Sequence, residues 1–179
     1  MRGTRIVRLG ILLIASGSSL AGCAAGRPWG FSPLAGIDVD AEELFVGADA
    51  WVPLEQSLGA GELFFVPGFD WYPFLGEDVG GINLDASLWG VNGDLVWAFG
   101  GDSFAPFVRG GLALRRSSSE VNNLGRETMT DFAFDFGAGG FLGGDPMGSR
   151  PFGQVGLLLG DGSSLYLSAG YRLQLGGTP

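Results

Sequence analysis

The chain has 179 residues, the length of one domain. It carries 34 glycines and 12% aromatic residues, but only 16% charged residues, against roughly 25% in an average soluble domain. The net charge of −9, with arginine as the only basic side chain, excludes a nucleic-acid partner, because binding phosphate needs a basic surface. The glycines keep no three-residue period, which excludes collagen, and the single cysteine, Cys23, excludes an intrachain disulfide framework.

Residues 1–22 read as an export signal. Arg2, Arg5 and Arg8 form a positive start, and Leu9 to Leu20 is apolar but too short to span a bilayer comfortably. The segment closes on Leu20-Ala21-Gly22-Cys23, which resembles the lipobox of bacterial lipoproteins. The resemblance implies lipidation of Cys23, and Ala24 behind it implies the outer over the inner membrane. Ordinary secretory cleavage nearby is the alternative, because Ala24 and Ala25 are also small. On either reading the chain leaves the cytoplasm. Residues 23–33, with Gly26, Pro28, Gly30 and Pro33, read as a flexible leader. Residues 34–175 read as the folded domain and 176–179 as a short tail.

Within the folded domain no helical period appears; the apolar residues alternate with a period of two. A weak strand runs from Leu34 to Asp40. Next, Leu44, Val46, Ala48, Ala50 and Val52 oppose Gly47, Asp49 and Trp51. Leu63, Phe65, Phe69 and Trp71 oppose Glu62, Gly68 and Asp70. Trp89, Val91, Leu95, Trp97 and Phe99 oppose Asn92 and Asp94. Val108, Gly110, Leu112 and Leu114 oppose Arg109, Ala113 and Arg115. Phe132, Phe134, Phe136 and Leu142 oppose Asp131, Asp135, Gly137 and Gly139. The run Val155, Leu157, Leu159 and the run Leu165 to Leu175 form a hairpin around Gly160-Asp161-Gly162-Ser163, a tight-turn sequence. One stretch breaks the pattern: Ile82, Leu84, Ala86 and Leu88 have the opposite parity to Trp89 onward. A bulge near Leu88 or an extension of residues 82–87 above the membrane would account for it.

The distribution of residues between the two faces separates a membrane barrel from a soluble one. One face carries Phe, Trp, Leu and Val in continuous bands. The other combines Gly, Ala and Ser with Asp49, Asp70, Asp94, Arg109, Arg115, Asp131, Asp135 and Arg172. Small and charged side chains together suit the crowded interior of a narrow closed sheet. The bulky apolar face then meets lipid, and closure leaves no unpaired edge in hydrocarbon. The expected fold is all-β: a closed antiparallel up-and-down transmembrane β-barrel of about eight strands, the smallest usual size for a bacterial barrel. Trp51, Trp71, Tyr72, Trp97, Phe99, Phe104, Phe107 and Tyr171 lie near segment ends and are expected in the girdles at the bilayer interfaces. Turns near Glu55–Ala60, Gly100–Ser103 and Gly143–Ser149 are expected at the periplasm. Those near Gly76–Gly81, Ser118–Arg126 and Asp161–Ser163 are expected outside.

The chain has no histidine. Ser–His and Cys–His nucleophilic arrangements and most zinc sites are therefore unavailable, and no catalytic, metal or cofactor site is assigned. Gly137-Ala138-Gly139-Gly140 is only a weak phosphate-loop mimic and reads better as strand packing. Glu77-Asp78 and Glu42-Glu43 could hold a surface cation, but solvated rim charge explains them more simply. The one constellation of interest is internal. Arg109 and Arg115 lie on a strand beside the one carrying Asp131 and Asp135, so an Arg–Asp network is expected, joined by Asp94 and Arg172. Its simplest role is a hydrogen-bonded plug that stabilises the barrel; a conducting lumen or acid–base chemistry are the functional alternatives.

The run from Phe104 to Leu112, Phe-Ala-Pro-Phe-Val-Arg-Gly-Gly-Leu, resembles the strand opening of small OmpA-like, opacity-type outer-membrane β-barrel domains. Pro151-Phe152, the turn at Gly160–Ser163 and the ending Ala169-Gly170-Tyr171-Arg172-Leu173 resemble their closing hairpin. The resemblance covers about residues 34–175 and implies a bacterial outer-membrane protein with a structural or surface-interaction role and no enzymatic activity. Known enzymatic barrels of this size depend on histidine. Implied partners are outer-membrane lipid and, during biogenesis, the barrel-assembly machinery; the chain is expected to be a monomer. The chain departs from the family pattern at its end, running past Leu175 to Gly-Gly-Thr-Pro without a terminal aromatic residue. A lipid-anchored soluble barrel holding an apolar ligand, with Phe132, Phe134 and Phe136 facing a cavity, and a narrow channel are the competing readings.

Overall fold

The computed structural model describes residues 27–55, 59–73, 76–79, 82–101, 103–121, 126–143, 145–160 and 162–176. Residues 1–22 and Cys23 lie outside the described residues. Nine strands follow one another: β1 (Trp29–Asp38), β2 (Glu43–Pro53), β3 (Gly61–Tyr72), β4 (Gly76–Val79), β5 (Ile82–Phe99), β6 (Phe104–Val121), β7 (Arg126–Leu142), β8 (Arg150–Gly160) and β9 (Ser164–Leu175). β1 starts at Trp29, so residues 29–33 are strand and not leader. Pro33 fits because it points outward beside Ala48.

Consecutive strands other than β3 and β4 pair antiparallel, β3 pairs with β5, and β9 returns to β1 through registers such as Ala35↔Ala169. The sheet is therefore a closed eight-stranded up-and-down barrel, as the alternation predicts. β4 pairs only with β5 and continues the path of β3.

The register locates the parity break. β5 pairs with β6 without interruption from Leu84↔Val121 to Ala98↔Phe107. No bulge therefore sits at Leu88. On the other side, the ladder passes from Tyr72↔Leu88 to Gly76↔Asp85. Between these pairs the β3–β4 side thus holds one residue more than β5 does. Leu88 keeps the inward parity of Gly90, Asn92 and Asp94 and packs against the buried cluster.

The strand lengths are unequal. β5, β6 and β7 have 18, 18 and 17 residues, whereas β8 has 11. Trp29 and Leu175 pair at one end of the barrel, the end at which β2 leads to β3, β5 to β6 and β7 to β8. The long strands project from the opposite end.

The facing is apolar-out. Phe132 is 72% exposed, and Phe134, Phe136, Leu112, Leu95 and Leu167 are exposed with it. Ser32, Asp49, Asp94, Arg109, Asp135, Gln154 and Arg172 are buried inside. The reading in which the phenylalanines of β7 line a cavity is therefore overturned. In a soluble barrel this arrangement would leave a continuous apolar band in water.

The girdle expectation is corrected in part. Trp71, Phe104 and Tyr171 are exposed outside, and Trp97 and Phe99 are half-buried there, but Trp51, Tyr72 and Phe107 are buried in the lumen. Parity explains it: Trp51 faces the same way as Asp49, and Phe107 the same way as Arg109.

Candidate functional site

The lumen is layered. Nearest the termini, Trp51 meets Phe64, Phe141 and Phe152 at ring centroid distances of 5.7, 5.2 and 5.8 Å, each edge-on. Such pairs favour edge-to-face contact because the rim of one ring is positive and the face of the other negative. Arg172, with no exposed surface, lies over the Trp51 and Phe64 rings at 5.8 and 5.2 Å. Its Nη1 donates to the Pro146 carbonyl, and Pro146 itself is buried. The 143–149 turn thus folds against this end of the lumen.

The middle layer is ionic. Arg109 of β6 forms ion pairs with Asp94 of β5 and with Asp135 of β7, the latter at 3.2 Å; Asp49 of β2 lies 3.9 Å away. Its Nη1 donates to Gln154 Oε1 at 3.0 Å, and Gln154 donates to Ser168 Oγ at 2.9 Å. The Tyr166 hydroxyl donates to Asp135 at 2.9 Å, and Asn92 donates to Asp94 at 2.6 Å. Six of the eight barrel strands contribute, so the network braces the closed sheet across its interior.

Above it, Arg115 pairs with Asp38 of β1 at 3.2 Å, donates to the Tyr72 hydroxyl, and stacks 5.1 Å over the Tyr72 ring. Ser164 Oγ accepts from its other nitrogen at 3.4 Å.

The expected network is therefore only partly assembled. Arg109, Asp94 and Asp135 come together as expected. Arg115 and Asp131 are register partners, yet Arg115 reaches across the lumen to Asp38. Asp131 is half-buried and forms no ion pair among the described residues. Arg172 belongs to the aromatic layer and not to the ionic one. Asp38, Asn92, Gln154 and Tyr166 were missed as members. Their inward parity was the available signal, but parity says nothing of height in the barrel.

Glycines make the room. A Cβ at Gly111 would fall on Asp94 Oδ1, one at Gly68 on Asp49 Oδ1, and one at Gly156 on the Tyr166 ring. Small residues on the charged face are thus the space into which the neighbouring strand's long side chain lies. The space left in the middle layer is about 30 Å³, bordered by Asp49, Asn92, Arg109 and Asp135. About 10–15 Å³ of such space holds one water molecule, so there is room for about two. No group of His, Cys, Asp or Glu among the described residues is arranged to hold a metal ion.

No protein-family model and no curated protein matches the sequence. Solved structures do share its shape. The N-terminal β-barrel domain of Pseudomonas aeruginosa OprF superposes with a TM-score of 0.58 at 14% identity, covering 83% of this chain and 99% of that one. Ail, the attachment invasion locus protein of Yersinia pestis, solved in complex with the heparin analogue sucrose octasulfate, gives 0.50 at 14% identity over 82% and 96%. The outer membrane enzyme PagL gives 0.50 at 15% identity over 80% and 98%. At these identities the likeness is one of fold: the chain has the architecture of small outer-membrane β-barrels.

Proposed function

We propose that the chain is a bacterial outer-membrane barrel with a structural or surface-interaction role and no catalytic activity. One observation carries this reading: the large apolar side chains face outward in a continuous band while Arg109, Asp94 and Asp135 are buried as a bonded group. Lipid is the solvent that suits the first, and a closed sheet suits the second. The reading places the terminal end in the periplasm and the long strands outside, with Cys23, where acylated, anchoring the start of the chain to the inner leaflet.

PagL demonstrates that an enzyme can occupy this fold. Here histidine is absent, and the buried carboxylates are engaged by Arg109 and Tyr166 beside a space of about 30 Å³. Among the described residues these buried carboxylates offer no general base open to substrate. The same tight filling supports a plug over a channel.

The test is electrophoresis of the membrane fraction with and without boiling. A folded barrel migrates differently from the boiled chain and sediments with the outer membrane. A chain recovered only from the soluble periplasm, with a single mobility, would refute the proposal.

A further inference from the structure

The barrel's outer rim is uneven, and the unevenness leaves a strand edge unpaired. β8 pairs with β7 only as far as Gly160↔Ala133. β7 continues beyond that point through Phe132 to Arg126, held on its other side by β6 up to Glu120↔Arg126. Among the described residues, none pairs with Glu127–Asp131 on the β8 side. This stretch, on the order of 17 Å long, therefore presents at the outer end the N–H and C=O groups that β6 does not take, without a strand partner among the described residues. The rim next to it is closed: Val39 donates to the Leu165 carbonyl at 2.7 Å, and the Leu165 N–H is taken by Asp40 Oδ2 at 2.7 Å.

An exposed edge of this kind templates a further strand. Its chemistry selects the strand. Glu127, Met129 and Asp131 share one face. Glu127 and Met129 border a hollow of about 260 Å³ whose lining also includes Glu43 and, on the neighbouring strand, Ser117. Below it, where β8 stops, a second cleft of about 170 Å³ is bordered by Asp131, Phe132 and Gly160 and, on the lumen side, by Arg115, whose charge Asp38 already offsets. Among the side chains described at this end, Asp40, Glu42 and Glu127 are exposed, Glu43 and Asp131 are half-buried, Arg116 is exposed, and Arg115 is already paired with Asp38. A second copy added in register would set acid against acid. A polyanion such as the sucrose octasulfate bound by Ail would meet the same repulsion.

We propose that the Glu127–Asp131 edge of β7 binds an extended, cationic polypeptide segment by strand addition, with basic side chains directed into the acidic clefts. The proposal rests on the outer-membrane reading, which places this edge at the cell surface.

The test uses the full chain folded in phospholipid nanodiscs and a fluorescein-labelled Thr-Lys octapeptide of four repeats, read by fluorescence anisotropy. Two control peptides separate the components: the Thr-Glu counterpart, and the Thr-Lys peptide N-methylated at every residue, which keeps its charge but cannot donate to a ladder. We expect saturable binding of the Thr-Lys peptide, and at least tenfold weaker binding of both controls. Glu127→Lys with Asp131→Lys should weaken it at least tenfold, and Glu127→Gln with Asp131→Asn by a smaller factor in the same direction. Equal binding of the methylated and unmethylated peptides would reduce the effect to charge attraction and overturn strand addition. No binding, or binding unchanged in the Lys variant, would overturn the site. Heat-modifiable mobility of the same sample separates these outcomes from failure of the barrel reading, which would abolish the mobility shift itself.

Discussion

Replacing Arg109 by methionine should be the most damaging single change in the lumen. The side chain is 4% exposed, and Asp94 and Asp135 beside it are 0% and 4% exposed. Methionine keeps much of the volume and removes the charge. Breaking a buried ion pair by deleting one partner costs about 3–5 kcal/mol, because the other charge stays buried without compensation. Here one guanidinium serves two paired carboxylates, with Asp49 as a third at 3.9 Å, and it also holds the Gln154 amide oxygen. Leaving that acceptor unsatisfied adds about 1–3 kcal/mol. Water entering the vacated space offsets part of this, so we expect a loss near the upper end of the ion-pair range, about 4–5 kcal/mol. The assay is urea unfolding in phospholipid vesicles, followed by tryptophan fluorescence. The buried Trp51 reports the lumen and the exposed Trp71 the outer face. The triple variant Arg109→Met, Asp94→Asn, Asp135→Asn removes the two paired charges, leaves Asp49 buried, and should regain a clear part of the loss. A cost below about 1 kcal/mol, the range of exposed pairs, or no recovery in the triple variant, would refute the argument that this network braces the barrel.

Three further outcomes follow from facing and packing. Phe134→Arg places a cation in the outward apolar band and should destabilise the folded barrel in vesicles by about 2–4 kcal/mol, whereas in a soluble barrel an arginine at this exposed position would be nearly neutral by the same unfolding assay. Gly156→Ala pushes a methyl group onto the Tyr166 ring, and overpacking of that kind costs about 1–3 kcal/mol; unfolding unchanged within error would show that Tyr166 moves aside freely. Planar bilayers holding purified, folded protein should stay electrically silent, because the middle layer leaves only about 30 Å³; discrete, reproducible conductance steps would count against the plug.

Which residues face inward is legible from alternation alone, and the closed sheet bears this out in β2, β3, β6, β7, β8 and β9 and in β5 from Trp89 onward. The interior glycines were legible too, because small residues on a charged face make sense only where long side chains need space. The start of β1 was not. Gly30 and Pro33 look like breakers, yet Gly30 sits inside where its missing Cβ leaves room for Arg172, and Pro33 points outward. Glycine in a barrel strand marks close approach as often as it marks a turn.

Pairing inside the lumen was the least legible feature, and Arg115 shows why. In an open sheet its partner would be the residue beside it in the ladder, Asp131 on β7. In a narrow closed sheet the opposite wall is within reach of an arginine side chain, and Asp38, separated from Arg115 by 77 positions in sequence, becomes the nearer acceptor. The tilt of the strands sets which heights face each other across the interior, and that offset is a property of the whole closed ladder. No local pattern around Arg115 or Asp38 encodes it. The same geometry leaves Asp131 without an ion pair at the edge where β8 ends, beside the free edge of β7. The failed pairing thus follows from the narrowness and tilt of the closed sheet, and the proposed binding edge from the unequal lengths of β7 and β8.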